Sequence, residues 1–259
     1  MLKKSLSQHL IKDTNLLRKI VRLSGIGNED TVVEIGPGHG DLTRHLAEKA
    51  KSVYAVEIDR SFKQHLEPLE RELANVRIIY GDFLEIPLAQ FKGNLDIKIV
   101  GNIPYKITGP IVVKILKERA VLSSAHLMMQ KEIAQRIVSR SGNRSYGALS
   151  VNCQILADVK VLTYIKPDVF IPPPKVDSAL LSIIFKGNEK GTDNALIDFV
   201  RGCFQNKRKY MRYPLAKQYS QRDIGYLYKK MGFPDSIRAE EVEPLKFKEM
   251  HQLLQSAIS

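Results

Sequence analysis

The sequence predicts an α/β fold, in which a mostly parallel sheet is covered by helices on both faces and is followed by a small helical domain. Between residues 30 and 185, short runs of β-branched and aliphatic residues alternate with helical stretches, as in strand–helix–strand crossover units. Beyond residue 193 the periodicity is helical throughout. The chain has 259 residues, enough for one such domain with a smaller one appended.

The first strand of the predicted sheet is Thr31–Ile35, because it is apolar, rich in β-branched residues and stopped by a Gly-Pro-Gly turn. Further strands are predicted at Ser52–Glu57, Val76–Tyr80, Ile97–Val100 and the apolar run His126–Met129. The helices between them are predicted over Asp41–Lys49, Arg60–Arg71, about 109–118 and from Lys131 onwards. Only a short loop separates the runs Val159–Ile165 and Ala179–Phe185, so we expect the sheet to finish with an antiparallel pair.

A polar, glycine-bearing segment without periodicity, residues 186–193, is the best candidate for a domain linker. The helical stretches beyond it are Ala195–Phe204, Gln221–Met231 and Phe247–Ala257. We therefore expect one domain over residues 1–186 and a helical domain over residues 187–259.

The composition excludes several classes of protein. Two widely spaced cysteines, Cys153 and Cys203, make neither a disulfide framework nor a cysteine-rich zinc site. No apolar run approaches the ~18 residues that span a bilayer, and polar residues interrupt any signal-peptide core near the N-terminus. We therefore expect a cytoplasmic protein without a membrane partner, with a monomer as the default. A net charge of +12 favours a polyanionic partner, most simply nucleic acid.

The first candidate site is the loop Glu34-Ile35-Gly36-Pro37-Gly38-His39-Gly40, which lies between the first strand and its helix. Glycines there let the backbone approach a ligand closely. Glu57, at the end of the second strand, suits the vicinal hydroxyls of a ribose, while Asp82 suits an adenine amino group with Phe83 beside the ring. A turn with two solvated acids is the simplest alternative, and a dinucleotide site is another.

Two features favour S-adenosylmethionine over a dinucleotide in this loop. The spacing is G-x-G-x-G rather than G-x-G-x-x-G. Glu34, ahead of the first glycine, would suit the ammonium and sulfonium charges of S-adenosylmethionine. The predicted cofactor is therefore S-adenosyl-L-methionine.

The second candidate site is the tetrapeptide Asn102-Ile103-Pro104-Tyr105, which follows the fourth strand. The side-chain carbonyl of Asn102 and the main-chain carbonyl of Ile103 can accept both N–H bonds of an adenine amine. Pro104 would fix the turn, and Tyr105 offers a face for the base to stack on. The alternative is a proline turn with a buried tyrosine. Orientation and electrostatics suffice for methyl transfer, so neither a covalent nucleophile nor a metal is expected.

Nearly the whole chain resembles the ribosomal RNA small-subunit adenine N6,N6-dimethyltransferase family, which modifies two adjacent adenosines near the 3′ end of 16S rRNA. The motifs that carry the resemblance are Ser7–Ile11, Glu34–Gly40, Glu57, Asp82, Asn102–Tyr105, Gln130–Glu132, Tyr146–Ser150 and Val169–Ser178. The resemblance implies a Rossmann-like class I S-adenosylmethionine-dependent methyltransferase sheet, with the small ribosomal subunit as partner and a role in ribosome biogenesis.

The resemblance also implies roles for individual residues. Cofactor contacts are implied at Gln8, His9, Ile11, Gly36, Gly38, Glu57, Asp82 and Asn102. Phe170 is implied to stack on the target adenine opposite Tyr105, whereas its spacing alone suggests a core residue. His9 stands where the family usually has Asn, and an imidazole nitrogen could replace the amide with a pH dependence.

Two basic groups are candidates for RNA binding. Arg201 to Lys217 is a stretch with aromatic residues but no acid, and it coincides with a basic motif of the family. Its predicted RNA contacts are Lys207, Arg208, Lys209 and Arg212, and a second surface is predicted from Arg136, Arg140 and Arg144. A solvated charged face is the alternative for both. Tyr213 stands where the family has Asn.

Four other functions remain open from the residues. A large-subunit 23S rRNA adenine methyltransferase of the macrolide-resistance type shares the tetrapeptide, but the Pro172–Pro174 run and Lys207–Lys209 favour the small-subunit enzyme. A ribosome-assembly factor without catalysis would present the same binding surfaces. A nicotinamide oxidoreductase would need an acid/base residue near Asn102, and a DNA methyltransferase would need a target-reading domain. The sequence shows neither feature.

Overall fold

The computed structural model describes residues 9–93, 96–189, 191, 193–206 and 209–258. These form two compact units. The first contains the chain up to Ala134 together with Lys160–Phe185, and the second contains Gln135–Val159 and the chain from Lys186 onwards.

The strands of the described residues are β1 (Leu10–Ile11), β2 (Thr31–Ile35), β3 (Ser52–Glu57), β4 (Val76–Tyr80), β5 (Ile97–Asn102), β6 (Leu122–Gln130), β7 (Ala157–Ile165), β8 (Phe170–Ile171) and β9 (Ser178–Phe185). Seven of them form a sheet in the order β4-β3-β2-β5-β6-β9-β7. The pairs from β4 to β6 are parallel, and β9 lies antiparallel to β6. The predicted neighbours β9 and β7 do close the sheet.

The helices of the described residues are α1 (Thr14–Leu23), α2 (Asp41–Ala47), α3 (Lys63–Glu72), α4 (Thr108–Lys117), α5 (Lys131–Ile137), α6 (Ala148–Leu156), α7 (Ala195–Cys203), α8 (Arg212–Leu215), α9 (Gln221–Met231) and α10 (Pro244–Ile258). They confirm the α/β fold that the sequence predicts. None of them combines the length and apolar character needed to cross a bilayer.

The order of the strands reverses between β2 and β5. From β2 the chain runs outward through β3 to β4, then returns to place β5 on the other side of β2. Ligands of open α/β sheets bind outside the carboxyl ends of the strands at such a reversal. Here these ends are in register, because Ile35 pairs with Gly101. A Cβ at Gly101 would lie 2.6 Å from the carbonyl oxygen of Ile35, so only glycine allows this close pairing.

A two-stranded sheet brings the N-terminal segment to the loop before β9. Strand β1 pairs with β8, with Leu10 opposite Ile171 and Ile11 opposite Phe170. The pairing joins segments about 160 residues apart in the chain. Ile11 and Phe170 are both buried in the core beside β2 and β6. This two-stranded sheet therefore fixes the position of the N-terminal segment at the carboxyl edge of the seven-stranded sheet.

The second unit is built around α6, α7 and α10. The amide of Asn152, on α6, donates to the carbonyl oxygen of Ile197 at 3.2 Å, and Phe247 is fully buried. Residues 135–159, which we expected in the first domain, group with this unit. The rest of the unit begins at Lys186, near the boundary that we expected. The segment expected to be a linker contains a short 3₁₀ turn, Gly187–Glu189, and Glu189 is held by Lys248 at 2.7 Å.

Candidate active site

A cleft in the first unit opens at the carboxyl ends of β2, β3 and β5. Its lining includes six residues predicted to bind the cofactor and the four residues of the tetrapeptide, one of which, Asn102, was predicted for both roles. The six are His9, Gly36, Gly38, Glu57, Asp82 and Phe83, and the tetrapeptide is Asn102–Tyr105. Residues from five separate parts of the sequence thus meet at one edge of the sheet. Ile11 lies outside this lining, buried beside it, and Gln8 lies outside the described residues.

The glycine loop has a backbone that only glycine adopts without strain. Gly36 and Gly38 have φ values of 68° and 58°, in the left-handed region. The N–H of Gly36 donates to the carbonyl oxygen of Val56 at 3.0 Å, which ties the loop to the end of β3. A Cβ at Gly38 would lie 2.5 Å from the side chain of Leu10. The loop is therefore held close to the N-terminal segment along one wall of the cleft.

Glu57 is the buried acceptor at the centre of the cleft. One carboxylate oxygen accepts from the N–H of Asp59 at 2.8 Å, and the other accepts from the N–H of Gly38 at 3.2 Å. Burial raises the pKa of Glu57, while these two main-chain hydrogen bonds oppose the shift. Each oxygen is fixed in direction and keeps a further lone pair, as a ligand with vicinal hydroxyls requires.

Asp82 and Phe83 form the next part of the wall. The Oδ1 atom of Asp82 accepts from the N–H of Leu84 at 2.8 Å, which orients the carboxylate. Phe83 is buried, with the ammonium of Lys114 5.8 Å from its ring centre. Ile58, directly after Glu57, is 53% exposed and adds an apolar surface to the cleft that the sequence analysis missed. This combination of two fixed acids and flat apolar surface fits an adenosine group.

Glu34 has a different place from the one expected. Its side chain is only 1% exposed and is absent from the lining of the cleft, because it lies below the glycine loop on β2. Burial raises its pKa to about 8. The Oε2 atom has no hydrogen-bond partner among the described residues. Burial therefore favours the neutral form of the carboxyl, and Glu34 does not present to the cleft the negative charge for which we singled it out.

The tetrapeptide leaves two acceptors at the mouth of the cleft. The amide nitrogen of Asn102 donates to the carbonyl oxygen of His9 at 2.6 Å, so its Oδ1 atom is turned the other way. The N–H of Ile103 donates to the carbonyl oxygen of Met128 at 3.0 Å, whereas no described donor bonds its own carbonyl oxygen. Two neighbouring oxygens thus remain for the two N–H groups of an amine.

Tyr105 is held at its hydroxyl end by a hydrogen bond. Its hydroxyl lies 2.6 Å from that of Ser178, at the start of β9. The ring of His9 is 5.4 Å away, inclined by 31°, and its Nδ1 atom is 2.7 Å from the carbonyl oxygen of Pro172. His9 therefore contacts the face of Tyr105 as well as supporting Asn102. Ser178 belongs to a motif quoted for the resemblance, but its role as the partner of Tyr105 was not predicted.

Phe170 is placed near Tyr105 but is buried. Its ring is 1% exposed, packs in the core and meets the ring of His9 edge-on at 6.5 Å. It does not line the cleft. The structure therefore agrees with the interpretation of Phe170 as a core residue. Stacking of Phe170 on a target base stays a prediction, and it requires His9 and Phe170 to rearrange.

The two basic groups predicted to bind RNA are tied to one segment of the second unit. The N–H of Met211, between Tyr210 and Arg212, donates to the carbonyl oxygen of Ile237 at 2.9 Å. The N–H of Gly142, in the loop of Arg140 and Arg144, donates to the carbonyl oxygen of Glu240 at 2.8 Å.

The side chains of the predicted RNA contacts differ in exposure. Arg140, Arg144 and Lys209 are exposed. Arg136 is half-buried, and Arg212, also half-buried, is paired with Asp235 at 3.0 Å. Lys207 and Arg208 lie outside the described residues.

Comparisons with known proteins point to one family. The profile of the family described as ribosomal RNA adenine dimethylase matches residues 1–256. A protein named ribosomal RNA small subunit methyltransferase A from Mycoplasmopsis synoviae is 40% identical over 93% of this chain and 92% of its own length. One of the same name from Chlorobium luteolum is 37% identical over 98% and 90%.

Two solved structures are similar over almost their whole length. A dimethyladenosine transferase from Plasmodium falciparum superimposes with a TM-score of 0.82 at 26% identity, covering 96% of this chain and 98% of that one. The 23S rRNA methyltransferase ErmE superimposes with a TM-score of 0.70 at 25% identity, covering 95% and 99%.

Proposed function

The chain belongs to the ribosomal RNA adenine dimethylase family, and we propose that it dimethylates N6 of two adjacent adenosines near the 3′ end of 16S rRNA. It is an S-adenosylmethionine-dependent methyltransferase with small-subunit rRNA as its substrate. The observation that carries the proposed site is the pair of unused acceptors, Asn102 Oδ1 and Ile103 O, beside a cleft with the two fixed acids Glu57 and Asp82.

The residues of the cleft fit the cofactor. Glu57 would accept from the ribose hydroxyls and Asp82 from the adenine amino group, with Ile58 and Phe83 against the ring. The glycine loop carries no side chains at Gly36 and Gly38, where the positive φ disfavours other residues, and this leaves room along the wall for the rest of the molecule. When bound, S-adenosylmethionine supplies an electrophilic methyl group on a positively charged sulfur.

The tetrapeptide would prepare the adenine amine for this methyl group. The amine is a poor nucleophile because its lone pair is delocalised into the ring. Two hydrogen bonds, from its N–H groups to Asn102 Oδ1 and Ile103 O, would draw the nitrogen toward a tetrahedral shape and localise the lone pair. The donation from Asn102 to His9 keeps the amide from rotating. Orientation of this kind lowers the barrier because it fixes the reacting atoms before the reaction.

Tyr105 would hold the base in the plane that these acceptors require. Its hydroxyl is held by Ser178, and stacking of a base on such a ring contributes about 1–3 kcal/mol. The adenosine must be unstacked from its RNA neighbours to reach the cleft, as for other enzymes that modify bases. The ring of His9 covers part of Tyr105 and would have to move as the base enters.

The large-subunit alternative has less support than the small-subunit substrate. The relatives named for the small subunit are more similar in sequence than the 23S enzyme, whose fold is nevertheless shared. We further propose that the protein acts as a monomer in the cytoplasm.

The experiment that tests this function is transfer of labelled methyl groups from S-adenosylmethionine to undermethylated small subunits, with 23S rRNA in parallel. Label in the small subunit alone is expected. Label in 23S rRNA alone would assign the chain to the large-subunit methyltransferases of the macrolide-resistance type. Binding to the small subunit without transfer would indicate an assembly factor.

A further inference from the structure

A turn in the second unit presents two tyrosines to solvent with their rings nearly parallel. Tyr210 and Tyr213 are 41% and 55% exposed, with ring centres 6.4 Å apart and planes inclined by only 19°. The N–H of Tyr213 donates to the carbonyl oxygen of Tyr210 at 3.1 Å, which closes the turn and puts both side chains on the same side. Exposed aromatic rings in such an arrangement are costly to solvate unless a partner covers them.

The turn is held rigidly from below. Met211, between the two tyrosines, is fully buried, and its N–H is bonded to Ile237. Arg212 is paired with Asp235 on the same neighbouring segment. The backbone that carries the rings is therefore fixed before any partner binds, so little conformational entropy is lost on binding.

One cation lies beside a ring of the pair, and another directly precedes the pair in the chain. The guanidinium carbon of Arg238 lies 6.0 Å from the ring centre of Tyr210, and Lys209 is exposed directly before it. Flat aromatic surface next to cations is the combination by which proteins hold unpaired nucleotides, since the rings stack on bases and the cations contact phosphates.

We propose that Tyr210 and Tyr213 form a stacking platform for unpaired bases of the RNA substrate, with Arg238 and Lys209 facing the adjoining phosphates. This rests on the proposed function for the identity of the RNA. The platform would add to the proposed function a way of recognising single-stranded RNA with residues that do not belong to the cleft. A paired helix presents no open base faces, so the platform favours single strands.

The test compares binding of a single-stranded oligoribonucleotide of mixed sequence with binding of the duplex that it forms with its complement. The variant carries Tyr210→Leu and Tyr213→Leu, which keep apolar packing but remove the rings. The matched control is Tyr226→Leu, because Tyr226 is 44% exposed in the same unit and also lies under a cation, Lys230, at 5.6 Å.

We expect the double variant to bind the single strand about 10- to 100-fold more weakly and the duplex equally well, with an unchanged salt dependence. The control and the pair Tyr210→Phe with Tyr213→Phe should bind as the wild type does. Equal binding by the double variant, an equal loss on the duplex, or the same loss in the control would overturn the proposal. Unchanged cofactor affinity and melting temperature establish that the variant is folded.

Methyl transfer by the wild-type protein separates this proposal from the proposed function. If the wild type methylates small subunits and the double variant binds single strands normally, the platform is wrong and the function stands. If the wild type transfers no methyl group but the double variant loses binding to single strands, the platform is supported and the proposed function is wrong.

Discussion

Substitution of Glu34 by Gln should remove a pH dependence of stability that the buried carboxyl imposes on the cofactor-free protein. The pKa of Glu34 rises from an ordinary value of 4.5 to about 8 because the side chain is buried. Between these two pH values the folded protein holds a proton that the unfolded chain has released. The stabilising contribution is therefore complete below about pH 4.5 and is lost as the pH rises through about 8.

The size of the effect follows from that interval. At about 1.4 kcal/mol per pH unit, the distance between 4.5 and about 8 corresponds to a total of about 5 kcal/mol. From about pH 5 to about pH 8 the loss is roughly 3–4 kcal/mol, which for a chain of this size lowers the melting temperature by about 10 °C. Gln has nearly the same shape and does not titrate.

The assay is thermal unfolding of the wild type and Glu34→Gln, without cofactor, at a series of pH values. Other titrating groups are common to both proteins, so the difference between the two melting temperatures isolates Glu34. We expect the melting temperature of the variant to rise relative to that of the wild type as the pH increases from about 5 to about 8. Parallel curves would refute the reasoning, because they would show that Glu34 is already ionised when folded.

Four other substitutions test the cleft. Asn102→Ala should lower the rate of methyl transfer at saturating substrate about 100-fold or more, because one of two acceptors for the amine is lost; single-turnover kinetics measures this. Glu57→Gln should weaken S-adenosylmethionine binding about 10- to 100-fold in calorimetry, because a carboxylate acceptor contributes about 1.5–3 kcal/mol to such hydrogen bonds. Gly101→Ala should reduce both thermal stability and transfer, since its Cβ would meet the carbonyl oxygen of Ile35 at 2.6 Å. His9→Asn should leave the affinity for S-adenosylmethionine nearly unchanged in calorimetry, because an amide can replace an imidazole nitrogen in a hydrogen bond, and a large loss of affinity would show that the imidazole ring itself is required.

Local sequence signals were sufficient for the sheet of the first unit. Strands β3 and β4 have the predicted bounds, because β-branched runs ended by polar or glycine residues define a buried parallel strand without reference to the rest of the chain. The same signals brought Glu57 and the tetrapeptide to one edge, since each directly follows or ends a parallel strand. Helix α9 was also predicted to the residue.

The features that the sequence did not reveal depend on contacts between distant parts of the chain. Strands β1 and β8 have two residues each, too few for any periodicity, and exist because they pair with one another. The burial of Glu34 follows from its neighbours in the folded sheet, while a glycine loop by itself suggests an exposed acid. The grouping of α6 with α7 and α10 likewise depends on packing across 40 or more residues.

The most direct measurement is mass-spectrometric mapping of 16S rRNA after the purified protein and S-adenosylmethionine have acted on undermethylated small subunits. We expect dimethyladenosine at two neighbouring positions near the 3′ end, with a strongly reduced yield from Asn102→Ala. Modification of another base, or an undiminished yield from that variant, would contradict the role assigned to the tetrapeptide and to its two acceptors.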